Sequence, residues 1–268
     1  MSIPRQTRPA AVAGRFYPAS VPALGRMVDR CLAEARPCRS AKPKAVIAPH
    51  AGYILSGPIA GSAFRPWVEE TEAIQRIVLV GPSHYVYFDG LALPSHTQFA
   101  TPFGDVPVDV DSARQLRGLP QVQVFDAAHE EEHALEVELP FLQRTLKSFR
   151  VVPLVVGEAS DEEVREVLDL LWGGPETRIV VSSDLSHFHS YEAARQLDRA
   201  TADRIEAGVG RELTGNHACG YRAIRGFLRA AAARGLAAET SDLRNSGDTA
   251  GPRDRVVGYG AFLFGPKP

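Results

Sequence analysis

Three apolar runs of this chain end in residues that could hold a metal ion or move a proton. The run 44–48 (KAVIA) exits into Pro49-His50 and the run 76–81 (RIVLVG) into Pro82-Ser83-His84. The run 178–183 (RIVVSS) exits into Asp184, with His187 and His189 just beyond. A lone turn histidine is an ordinary hydrogen-bonding residue. Two imidazoles and an anionic group that converge can instead bind a divalent transition metal and leave coordination positions open. The anionic group could be Asp184, Glu132 or Cys219. Cys219 opens a helix-like stretch, where the dipole and free amides favour a thiolate; the commoner fate of a free cysteine is that of a small buried hydrophobe. His187 and His189 are two apart, so they share a face on an extended segment and not on a helix. At most one is expected to face inward, and His187, three residues after Asp184, is the preferred one. His96 has no partner in sequence, and His217, two residues before Cys219, stays ambiguous. His133 follows the acidic run 130–132, which suits a helix start, and with Glu136 it could line a cleft.

Other chemistries find less support. VGPSHY (80–85) lacks the second glycine of a G-x-S-x-G nucleophile elbow. The glycine-containing stretch 245–254 has no G-K-[ST] and reads as a loop, not a phosphate cradle. Cys31 and Cys38 lack metal-finger spacing and read as structural.

The elements that must position these residues read as α/β. The runs 44–48, 76–81, 150–157 and 178–183 are nearly all apolar between polar ends, as in strands of a parallel sheet covered on both faces. In such sheets ligands bind at the carboxyl ends of the strands, where these histidines fall. Ser160 to Glu163 has capping-box spacing before a helix with Val164, Val167, Leu168 and Leu171 on one face. The stretch 131–146 carries a leucine stripe, with Pro140 a kink or the start of a second segment. Helices are expected over 190–208 and 219–235, a hairpin or ordered loop over 101–109, and a final strand from Arg255. One domain spanning 1–268 is expected, with a central, largely parallel sheet flanked by helices.

The chain has 268 residues, 44% of them hydrophobic and 23% charged, with a net charge of −2. That balance gives no electrostatic reason for nucleic acid as a partner. No apolar stretch approaches the roughly 20 residues needed to cross a bilayer. The N-terminal stretch has no apolar signal-peptide core, so the chain is expected in the cytoplasm. Three cysteines fit a reducing compartment.

Taken together, the motifs AVAGRFYPA, APHAGYILSGPIA, VGPSHYVYFDG, TPFGDVPVD, EEHALEVELPFLQ, SSDLSHFHSY, CGYRAI and NSGDTAGPRDRVVGYGAF run from about residue 9 to 264. In this set and order the chain resembles the Memo family, the B component of the AmmeMemoRadiSam system. The resemblance implies a fold like that of class III extradiol dioxygenases, which hold non-haem Fe(II) with two histidines and a carboxylate. It matches His50 and His84 to the family's metal histidines and Cys219 to the cysteine that replaces the dioxygenase glutamate. His187 matches the acid/base histidine, with Asp184 beside it. Two positions depart from the family pattern: Leu55 stands where an aromatic is usual, and Tyr85 where a second histidine is common. Both are expected to alter the pocket's shape and to leave the ligands in place.

A thiolate makes such a site softer than the dioxygenase one and widens the implied metals from Fe(II) to Cu or Zn. The resemblance implies a metal-dependent redox activity on an unknown small-molecule or peptide substrate. It also implies a pathway shared with radical-SAM and AMMECR1-type proteins; in animals the family is linked to phosphotyrosine peptides. A binding adaptor without catalysis and a zinc-dependent hydrolase are the alternatives, because function resides in the site and not in the fold.

Overall fold

The structure, a computed structural model, describes residues 6–39 and 42–266. The first five residues, part of the stretch read above as lacking a leader's apolar core, lie outside the described residues. The strands are β1 (Thr7–Arg8), β2 (Ala45–Ala48), β3 (Arg76–Pro82), β4 (Leu91–Leu93), β5 (Gln98–Phe99), β6 (Val106–Pro107), β7 (Val122–Val124), β8 (Arg150–Val156), β9 (Thr177–Ser182), β10 (His187–His189), β11 (Leu236–Asn245) and β12 (Val256–Pro266). The α-helices are α1 (Val21–Ala33), α2 (Tyr53–Phe64), α3 (Val110–Leu116), α4 (Ala127–Glu130), α5 (His133–Glu136), α6 (Leu139–Thr145), α7 (Asp161–Leu171), α8 (Tyr191–Glu206) and α9 (Tyr221–Ala232).

The main sheet runs β10-β12-β2-β9-β3-β8-β4-β7, with β11 also on β12. Its centre, β2-β9-β3-β8, is parallel throughout, and these are the four runs expected as buried strands. The flanks make the sheet mixed: β12 lies antiparallel to β2, β10 and β11, and β4 antiparallel to β8. The 101–109 segment closes the β5–β6 hairpin, which joins β1 in a separate small sheet.

Both faces of the central strands are buried, which is why their sequences do not alternate. Val46, Ile77, Leu79, Val151 and Val180 pack on one face with residues of α1, α2 and α6. Ile47, Val78, Val80, Val152, Ile179 and Val181 pack on the other with residues of α7, α8 and α9. Each such aliphatic side chain contributes roughly 1.5–3 kcal/mol by leaving water. The expected capping box forms: Ser160 Oγ accepts from Glu163 N at 3.2 Å, and Glu163 Oε2 accepts from Ser160 N at 2.7 Å. The leucine-striped segment breaks in two, and Pro140 falls in the first turn of α6, where its missing N–H has no intrahelical acceptor to serve. Helices α1 and α2 approach so closely that a Cβ on Gly61 would stand 2.2 Å from the Cys31 carbonyl oxygen. Cys31 is buried at that crossing, where burial pushes its thiol up to about 11; this is the structural role its sequence suggested. Among the described residues no helix is long and apolar enough to cross a membrane.

Candidate metal centre

Because β2, β9 and β3 are adjacent and parallel, their carboxyl ends open on one edge of the sheet. His50 follows β2, Ser182 ends β9 with Asp184 just after it, and His84 follows β3. The rings of His50 and His84 have centroids 5.1 Å apart. A third imidazole joins them from outside the sheet. His133 stacks on His84 at 4.5 Å and meets His50 edge-on at 5.3 Å. One ring nitrogen from each of His50, His84 and His133 lies within 4.8 Å of the others, a grouping that could hold a metal ion.

Each ring is held from behind. His50 Nδ1 lies 2.8 Å from Ser182 Oγ, and its backbone N–H donates to Asp184 Oδ1 at 2.8 Å. Glu132 grips His84 twice, accepting from its backbone N–H at 2.7 Å and lying 2.8 Å from its Nδ1. The same carboxylate caps α5 by accepting from Ala134 N at 2.9 Å. With the Nδ1 atoms engaged, the Nε2 atoms of His50 and His84 are left for a ligand, the arrangement usual for metal-bound histidines. His133 Nδ1 lies 3.3 Å from the Tyr85 hydroxyl and 3.5 Å from Glu132 Oε1.

Cys219 sits one residue before the Gly220 N-cap of α9, not inside the helix. Its Sγ is 3.3 Å from His50 Nε2 and accepts the Asp184 N–H at 3.3 Å. His187 is half-buried and its Nδ1–H donates to the Leu185 carbonyl at 2.8 Å, which leaves Nε2 as an acceptor. His189 is exposed. Between them Phe188 adopts φ +63°, rare for a bulky residue, and the pairing of β10 with β12 shifts register there. His96 instead lies 3.4 Å from Asp126, and His217 Nδ1 accepts from Thr214 N at 3.2 Å.

Electrostatics separates these groups. Burial drives His50 well below the ordinary imidazole range, aided by the neighbouring histidines, and lowers His133 to about 4 and His187 as well. At His84 burial also opposes charge, but the neighbouring Cys219 and the hydrogen-bonded Glu132 outweigh it and carry the group up to about 10. Burial lifts Asp184 to about 7 against the hydrogen bonds from the His50 and Ala51 amides.

The support reaches further back. Arg8, fully buried, donates through Nε to the His129 carbonyl at 2.8 Å and through Nη2 to the Glu132 carbonyl at 2.7 Å, and pairs with Glu136. Glu136 also accepts from Ala11 N, Val12 N and the Tyr17 hydroxyl, so the N-terminal segment is tied to the helix that carries His133. The outer partners Ser182 and Arg8 have no signature in the sequence beyond their polarity, and Glu132, one of the three anionic candidates there, holds His84 from behind. For His133 the signal was its place directly after a helix-capping acidic run. A cavity of about 320 Å³ opens beside His84 and Cys219, lined also by Ser83, Tyr85, Tyr87 and Arg222.

A family model described as Memo-like protein matches residues 8–263. The chain belongs to the Memo family. It is 32% identical over 271 residues to a MEMO1 family protein of Methanosarcina mazei, covering 96% of this chain and 99% of that protein. It is likewise 32% identical to one from Aquifex aeolicus over 270 residues, covering 97% and 99%. In this Memo protein the stretches APHAGY, GPSHY, EEHALEVELP, SSDLSH and CGYRAI supply His50, His84, Glu132 and His133, Ser182 and Asp184, and Cys219 to the histidine cluster and its immediate partners.

Proposed function

We propose that this Memo protein is a metal-dependent redox protein whose ion is held by His50, His84 and Cys219, with His133 beside them as a fourth donor. The observation that carries the reading is the convergence of three imidazoles, two of them pinned through Nδ1 by Ser182 and Glu132. One pair of these donors also has the spacing of a shared ion: metal–nitrogen and metal–sulfur bonds of about 2.0 and 2.3 Å at 90–110° would separate the two by roughly 3.0–3.5 Å. The His50–Cys219 separation is 3.3 Å. Fe(II) is the first choice, with Cu or Zn as alternatives for a site of two imidazoles and a thiolate. The bound ion would supply a Lewis acid and, for iron or copper, an electron carrier.

The chain's own residues do the rest. His187, kept neutral by burial and with Nδ1–H committed to Leu185, offers Nε2 as the proton acceptor. Asp184 acts as a positioning residue through the amide of His50. The cavity beside Cys219 limits the substrate to a small molecule or one side chain of a peptide, with Tyr85 and Tyr87 as walls. The family's link to radical-SAM and AMMECR1-type proteins makes a shared modification pathway the context, in the cytoplasm.

Anaerobic purification with metal quantification tests this. About one transition metal per chain is expected, lost in His50→Ala/His84→Ala, with O₂ consumed against a catechol panel in the loaded protein. A reconstituted protein that binds no such metal ends the reading. The exposed Tyr85 and Tyr87 favour a second reading, peptide binding without catalysis. It predicts partner affinity unchanged in Cys219→Ser and no O₂ consumption with any metal. Esterase or amidase turnover with zinc, lost in His187→Ala, would point to hydrolysis instead.

A further inference from the structure

We propose that Glu138 is a neutral carboxylic acid which donates its proton to Ser182 and, through Ser182, holds His50 with Nδ1 protonated and Nε2 free. The argument is a count of protons. Ser182 Oγ lies 2.6 Å from the Ala134 carbonyl oxygen, 2.8 Å from Glu138 Oε1 and 2.8 Å from His50 Nδ1. A hydroxyl brings one proton and two lone pairs. The Ala134 carbonyl can only accept, so the serine proton lies on that shortest contact. The two remaining contacts each need a proton from the other side: the Nδ1–H of His50 and the O–H of Glu138. If Glu138 were ionised, one of the two oxygen–oxygen contacts at 2.6 and 2.8 Å would hold no hydrogen and be repulsive.

The surroundings agree. Glu138 is fully buried, and its Oε2 has no hydrogen-bond partner among the described residues. That is tolerable for the carbonyl oxygen of an acid and costly for half of a carboxylate. Among the described residues no cation pairs with it: the guanidinium of Arg8 is taken by Glu136, two residues earlier. Burial and the nearby Asp184 both push the Glu138 carboxyl well above its ordinary range. Glu138 is thereby a positioning residue. Its proton keeps Ser182 from donating elsewhere and so sets the His50 tautomer with its Nε2 lone pair toward the cluster. This last consequence rests on the metal-centre reading; the protonation state of Glu138 does not.

Infrared spectroscopy of the protein labelled with [13C]glutamate reads the state directly at pH 7.5. Wild type is expected to show a protonated-carboxyl C=O band that shifts with the label and vanishes in Glu138→Gln. Labelling separates it from Asp184. In parallel, Co²⁺ is titrated into metal-free protein. Glu138→Gln, which keeps a neutral donor, is expected within about threefold of wild type, whereas Ser182→Ala weakens Co²⁺ by about 10–100-fold. The proposal is overturned if labelled wild type shows no protonated glutamate band, or if Glu138→Gln weakens Co²⁺ as much as Ser182→Ala. Should wild type bind no Co²⁺ while the band is present, the metal-centre reading falls and the assignment of Glu138 stands.

Discussion

Replacing Glu132 by glutamine changes one atom and should cost most of a hydrogen-bonded charge. Glu132 Oε1 faces both His84 Nδ1 and the Ala134 amide, while Oε2 faces the His84 amide. All three partners donate, and only a carboxylate can accept on both oxygens. In Glu132→Gln the side chain has two orientations. With the amide oxygen toward Nδ1, the new NH₂ meets the His84 N–H, donor against donor in a buried site. With the amide oxygen toward the His84 N–H, NH₂ meets the Ala134 N–H, donor against donor, and faces Nδ1, which must then accept; the ring proton is left on Nε2, the nitrogen proposed to bind the ion. Losing a hydrogen bond to a charged group costs about 1.5–3 kcal/mol. At about 1.4 kcal/mol per decade that is roughly 10–100-fold in metal affinity. The assay is Zn²⁺ or Co²⁺ titration against a competing chelator, with the exposed Glu131→Gln as control. A folded Glu132→Gln protein with affinity within twofold of wild type would refute the claim that this carboxylate sets the His84 tautomer.

Two further outcomes are expected. Arg8→Met strands the buried Glu136 carboxylate and should cost about 3–5 kcal/mol in urea unfolding, with a sizeable part recovered in Arg8→Met/Glu136→Gln; a loss under about 1 kcal/mol would contradict a dominant role for the pair. His129, fully buried and donating Nε2–H to the Ala92 carbonyl, is lowered to about 4 by burial, while the unfolded chain takes up its proton near pH 6.5. As pH falls the unfolded state binds the proton first, so stability drops from about pH 6.5 to about 4 and levels off below, by up to about 3 kcal/mol. The stability–pH slope should flatten correspondingly in His129→Gln, and an unchanged slope would show that His129 does not contribute to it.

Features set by near neighbours were legible in the sequence, and those set by distant pairing were not. Parallel strands buried on both faces show as unbroken apolar runs, so the four central strands, and the histidines at two of their exits, were legible as they stood. The capping box at Ser160 was legible too, because its partners are three residues apart. β11 was not: it pairs only with β12, most of it is half-buried, and LAAETSDLRN carries no apolar alternation. Nor were the antiparallel flanks that make the sheet mixed, since strand order depends on long-range pairing. The run from Glu132 to Glu138 makes the point most sharply. Its three glutamates are chemically identical in sequence, yet Glu132 orients His84, Glu136 neutralises Arg8 and Glu138 holds Ser182.

By itself, then, the sequence determined the types of donor and the local elements that carry them, because hydrophobic pattern and capping are settled by near neighbours. Only the tertiary structure decided which donors meet. The order β2-β9-β3 brings His50, Ser182 and His84 to one edge, and the packing of α5 against that edge adds His133. The charge of each group follows from the same packing, since burial and hydrogen-bond partners, not residue type, set whether a carboxyl or imidazole holds its proton.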